Sequence, residues 1–95
     1  VNHWTIDEDH QVHPTDAVGW TEWHLATYAD FERLRRVAWT QIDGDSWVST
    51  VFIGIPAPFE TYAIAGGNGR VMARYRTWDE AQAGHDRVVA AILGG

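Results

Sequence analysis

The run Trp47-Val48-Ser49-Thr50-Val51-Phe52-Ile53-Gly54-Ile55 constrains the fold more than any other stretch of this chain. It is rich in β-branched and aromatic residues, and Pro56-Ala57-Pro58 ends it, because proline removes a ladder donor. Its near-continuous apolar character predicts a central strand, covered at least in part on both faces. Such a strand needs partners, and the flanking sequence supplies them. Arg35 to Ile42 reads as a strand and turns at Asp43-Gly44-Asp45 into the central run. Phe59 to Ala65 is a third strand, Gly66-Gly67-Asn68-Gly69 a flexible turn, and Val71 to Arg76 a fourth strand. The short connections make the neighbours antiparallel.

Both ends add elements. His3 to Asp7 reads as a short strand, Glu8-Asp9-His10 as a polar turn, and Gln11-Val12-His13 as a brief strand pairing back. Pro14-Thr15-Asp16 then starts a helix over about 15–27, with Thr15 or Asp16 as its cap. Trp20, Trp23 and Thr27 share one face of it. Near the other end Thr77-Trp78-Asp79-Glu80 fits a capping box, Thr77 as N-cap and Glu80 three residues on. Ala81, His85, Val88 and Ile92 form a core-facing stripe, and Gly94-Gly95 stops the helix. The expected fold is α+β: a mostly antiparallel four- to five-stranded sheet with two helices packed on one face. At 95 residues and 10.7 kDa it is expected to be one small domain, 1–95. Exposed sheet edges make a homodimer an expected assembly.

Composition narrows the function. Without cysteine there is no disulfide framework, thiolate metal site or cysteine nucleophile. No apolar run approaches transmembrane length and no leader pattern opens the chain, so a cytoplasmic protein without membrane attachment is expected. All seven basic residues are arginine, a bias suggesting a high-GC bacterium or one of its phages, and Val1 fits an alternative start codon. Residues 1–32 hold seven acids and no base. That imbalance argues against nucleic-acid binding, which needs cations to displace counterions. Six tryptophans exceed the needs of so small a core and predict an exposed anchor on a binding surface.

No residue constellation reads as catalytic, and neither a metal nor a cofactor is expected. His85 sits on the core-facing stripe and reads as a buried neutral histidine with a structural role, like Thr77 and Glu80. His10 and His13, with Asp7, Glu8 and Asp9, read as a solvated hairpin rather than a metal site. The glycine-rich turn lacks the Gly-Lys-Ser/Thr ending of a phosphate loop, and Ser49 and Thr50 lie inside a strand. The arginines offer more. Alternation puts Arg70, Met72, Arg74 and Arg76 on one face of the fourth strand, and Val71, Ala73 and Tyr75 on the other. Glu60, Tyr62 and Ile64 share a face of the third. Glu60, Tyr62, Arg74 and Arg76, with Trp39, are the expected ligand- or partner-binding residues.

Three blocks carry a resemblance. Val48-Ser49-Thr50-Val51-Phe52-Ile53-Gly54, then Phe59-Glu60-Thr61, then Arg74-Tyr75-Arg76-Thr77-Trp78-Asp79-Glu80-Ala81 with Gly84-His85, follow the pattern V-S-T-V-F-x-G, F-E-T, R-Y-x-T-x-x-E-A-x-x-G-H. Over about residues 35–90 the chain resembles a family of small uncharacterised proteins of actinobacteriophages and prophages. In that family the first block usually continues into an Asp-His pair and a Gly/Pro-rich loop. Here Gly54 runs directly into Ile55-Pro56-Ala57-Pro58. The resemblance implies a phage origin and no mechanism. Together with small size, the absence of a catalytic signature and the surplus of tryptophan, it makes the expected function that of a phage accessory protein in the host cytoplasm, acting non-catalytically by binding a host macromolecule, with a host protein as the expected partner. The alternatives are sequestration of a nucleotide-type signalling ligand, a structural role in the virion, and a small enzyme using His85 and Glu60.

Overall fold

Alternation along the central strands sets the architecture. In the computed structural model, which describes residues 2–94, Ser46, Val48, Thr50 and Phe52 are buried while Trp47, Ser49 and Val51 between them are half-buried. The same period governs Phe59, Thr61 and Ala63 against Glu60, Tyr62 and Ile64. One face of the sheet is therefore a core and the other is not. Val1 and Gly95, read above as a start codon and part of a helix stop, lie outside the described residues.

The elements run β1 (His3–Ile6), β2 (Val12–Thr15), α1 (Ala17–Thr27), a 3-10 turn (Tyr28–Asp30), α2 (Phe31–Arg35), β3 (Arg36–Asp43), β4 (Ser46–Phe52), β5 (Phe59–Ala65), β6 (Asn68–Tyr75) and α3 (Trp78–Gly94). The fold is α+β and antiparallel, as expected, with one difference. The strands form two sheets, β1–β2 and β3–β4–β5–β6. The turn of the N-terminal hairpin is closed by Asp7. Its Oδ1 accepts from the backbone amides of Asp9 (2.9 Å) and Gln11 (3.0 Å), and its Oδ2 accepts from His13 Nε2 (2.7 Å). The hydrogen bond from His13 is the main reason the Asp7 carboxyl is held below its ordinary range. The Gly66-Gly67 turn between β5 and β6 has positive φ at both residues, the backbone a two-residue hairpin requires.

Helix α3 lies across all four strands of the larger sheet. Its cap is the expected one: Thr77 Oγ1 accepts from the Glu80 amide (3.1 Å) and donates to Glu80 Oε1 (3.2 Å). For α1 the cap is Asp16, whose Oδ1 accepts from the Gly19 amide (2.8 Å). α1 reaches the same side of the sheet through Trp23, which sets its edge on Phe52 (5.4 Å between centroids) and donates from Nε1 to the Ile6 carbonyl (3.0 Å). The core joins Ile6, Phe52, Phe59, Tyr75 and Ala81, with Trp4, Val12, Trp23 and Trp78 packed around them. On the α3 stripe Ala81 and His85 are buried, but Val88 and Ile92 are only half-buried. The close approach of helix to sheet is confined to the turn holding Ala81, Gly84 and His85.

At that approach sits a buried polar chain. His85, 2 % exposed, meets Thr40 Oγ1 at Nε2 and Thr50 Oγ1 at Nδ1, both at 2.8 Å. Thr50 continues to Thr61 Oγ1 (2.6 Å), and Thr61 to the Tyr75 hydroxyl (3.0 Å). A neutral imidazole donates from one nitrogen and accepts at the other, and freely rotating hydroxyls complete the chain in either direction. A protonated ring must donate from both nitrogens, which turns the Thr50 and Thr61 hydroxyl protons toward Tyr75. Burial pushes the His85 pKa below its ordinary value, and the neighbouring charge of Asp86 opposes this only in part.

The pH dependence follows. The unfolded chain takes up a proton on this histidine near pH 6.5, the folded chain only at lower pH. Stability from neutral His85 is therefore complete above about pH 6.5 and is lost as the pH falls toward the folded-state pKa, with a slope of at most about 1.4 kcal/mol per pH unit. Urea melts of wild type and His85→Gln across this window should converge as the pH falls. Parallel curves would contradict the buried neutral ring.

Candidate functional site on the open face of the sheet

The face of the larger sheet away from α3 and the N-terminal hairpin carries no second layer among the described residues. Strand register builds rows across it. Trp39, Ser49, Tyr62 and Val71 are successive partners from β3 to β6. The next row is Gln41, Trp47, Ile64 and Gly69. Ser49 is small, so Trp47 reaches diagonally to both aromatics, 6.4 Å from Trp39 and 6.4 Å from Tyr62 between centroids. Gly69 serves the same end: a Cβ there would strike the Tyr62 ring, so the glycine lets the ring lie flat over β6. The result is a strip of three aromatic rings, with Trp39 44 % exposed and Val71 45 % exposed beside it.

A charged pair borders the strip. Glu60 and Arg74 are direct partners across β5 and β6, and Arg74 Nε donates to Glu60 Oε2 at 3.3 Å. The pair neutralises itself, and Arg36, in the same row through Val51, is paired with Glu32 (3.1 Å), so these charges offset one another beside the aromatic strip.

Of the residues expected to bind, Trp39, Glu60, Tyr62 and Arg74 come together on this face. Arg76 does not join them. It lies just beyond β6 and lines two shallow clefts of about 480 and 490 Å³ on either side of Trp4 and Val12. Two further assignments are corrected by a bulge. Thr61 pairs with Ala73 but Tyr62 with Val71, so Met72 is the extra residue. Arg70 is thereby placed opposite buried Ala63 and Val71 joins the open face, the reverse of simple alternation. The central strand β4 is fully covered on one face and partly on the other, where Trp47, Ser49 and Val51 are half-buried. Trp47 is a site residue that the sequence analysis did not include, and its alternation with Val48, Thr50 and Phe52 is the signal that marks it.

The histidines of the hairpin have separate partners. His13 is tied to Asp7, whereas His10, at φ 62°, stacks its ring on Trp78 at 3.6 Å and 4°. The other tryptophans serve the core side: Trp4, Trp23 and Trp78 pack around it, and Trp20 stacks on His24 at 4.7 Å. No helix is long and apolar enough to cross a membrane among the described residues. No family model matches the chain, and no curated protein or solved structure does so either.

Proposed function

We propose that this chain is a phage-encoded accessory protein that binds a host protein in the host cytoplasm, without catalysis, through the open face of its sheet. The observation that carries this reading is the uncovered strip Trp39–Trp47–Tyr62. Tryptophan and tyrosine are favoured anchors at protein interfaces, and the centres of such interfaces are poor in charge, as this strip is. The resemblance to small actinobacteriophage proteins supports the phage origin and the host as the source of the partner. A nucleic acid or a nucleotide fits less well, because Arg74 is already engaged by Glu60 and stacking platforms for nucleic acid need free cations around them.

The test is affinity capture from an actinobacterial host lysate with the wild type, the Trp39→Ala/Trp47→Ala double variant and Arg87→Ala on exposed α3 surface. Truncating anchor tryptophans costs about 2 kcal/mol or more, a roughly 30-fold loss of affinity. The double variant should keep its circular dichroism and lose the captured protein, while Arg87→Ala keeps both. Equal capture by a folded double variant would overturn the proposal. A wild-type dimer in light scattering that the double variant converts to monomer would also overturn it, in favour of self-association.

A further inference from the structure

Three arginines follow one another closely at the end of α2, and they are treated differently. Arg33 reaches Asp30 (3.2 Å) and Glu8 (3.5 Å), and Arg36 reaches Glu32 (3.1 Å). Arg35 lies between them, is 7 % exposed, and has no carboxylate within ion-pair distance among the described residues. Its Nη2 donates to His24 Nδ1 (3.1 Å) and Thr27 Oγ1 (3.3 Å), while its Nε is buried with no acceptor. The guanidinium lies over the Trp23 ring, 4.4 Å from the centroid, with Phe31 at 5.9 Å. A buried cation without its counter-ion is costly, and cation–π contacts offset only part of that cost. Beside it opens a cavity of about 440 Å³ lined by His24, Tyr28, Phe31 and Arg35.

We propose that this cavity is a binding site for a monocarboxylate carried on an apolar or aromatic body, with Arg35 as the counter-ion. Tyr28 and Phe31 supply the apolar walls, and exposed Leu25 adds apolar surface on the same helical segment. Arg35 donates to Nδ1 of His24, so the neutral imidazole carries its proton on Nε2, a second donor in the cavity wall. One guanidinium matches one carboxylate. A dianion is disfavoured, because the remaining cations of this segment are already paired and residues 1–32 carry seven acids. The site lies apart from the open sheet face and does not depend on the function proposed for it.

The test titrates phenylacetate, its neutral amide phenylacetamide, and inorganic phosphate into 15N-labelled protein, reading the Trp23 indole and Thr27 amide resonances. Phenylacetate is expected to shift both saturably and to raise the melting temperature. The amide and phosphate should bind about tenfold or more weakly, the loss expected when a charge-assisted pair is removed or mismatched. Arg35→Met, which fills the same space without charge, should abolish the response to phenylacetate. The acid–amide comparison on the wild type decides the question even where that variant does not fold. No saturable shift with phenylacetate, equal binding of the amide, tighter binding of phosphate, or retained binding by folded Arg35→Met would each overturn the assignment.

Discussion

Phe59→Ala is expected to remove about 3–5 kcal/mol of stability, the range for truncating a fully buried aromatic. Phe59 is 0 % exposed and sets its ring edge-on to Phe52 (5.3 Å) and Trp78 (6.1 Å). It therefore stands where β4, β5, the start of α3 and the N-terminal hairpin share one core. A chain of this length has roughly 5–15 kcal/mol to lose. The variant should be marginal, with a large drop in urea midpoint and both sheets lost together. A loss below about 1.5 kcal/mol, or a hairpin that melts separately, would show that the two sheets do not share this core.

Gly84→Val should have an effect as large, from the opposite cause. A Cβ at Gly84 would strike the Tyr75 ring at Cε1, Cζ and its hydroxyl. That ring cannot retreat easily: Tyr75 is 8 % exposed, and its hydroxyl ends the Thr50–Thr61 chain. Inserting bulk into a packed seam costs about 1–3 kcal/mol and more for a branched side chain. Gly84→Ala makes the argument one of sign. In an unhindered helix, alanine for glycine stabilises by about 1 kcal/mol. Here it should destabilise, and the valine variant should fail to fold or melt far below wild type. An alanine variant more stable than wild type would mean that α3 does not approach the sheet this closely.

These two residues also show why the fold was legible in the sequence while the site was less so. The sequence blocks 48–54, 59–61 and 74–85 are parts of this seam. Thr50, Thr61, Tyr75 and His85 form the buried polar chain. Phe52, Phe59 and Ala81 are core, Gly84 admits Tyr75, and Thr77 with Glu80 caps α3. Gly54 holds φ 77° where its carbonyl accepts from the Trp4 amide (2.9 Å). Such positions leave strong local signals: a period of two, a capping box, a glycine beside a buried histidine. Of the open-face residues, these blocks hold Ser49, Val51, Glu60 and Arg74, together with Trp47 just before the first of them in the same strand. The aromatic strip arises from register, which pairs Trp39 with Ser49 and Ser49 with Tyr62. Cross-strand register and the Met72 bulge are tertiary facts, so alternation alone misplaced Arg70 and Val71. The lone Arg35 was equally invisible, since only the folded chain shows that Arg33 and Arg36 have carboxylates and that Arg35 has none among the described residues.

The most direct test of the open face places a photo-crosslinking amino acid at one position at a time and irradiates the protein in host lysate. Val71 stands beside the aromatic strip, and Gln82 lies exposed on α3 across the sheet. The account predicts that the probe at Val71 joins one host protein covalently, that this product disappears in the Trp39→Ala/Trp47→Ala background, and that the probe at Gln82 yields none. A product from Gln82 and none from Val71 would contradict it.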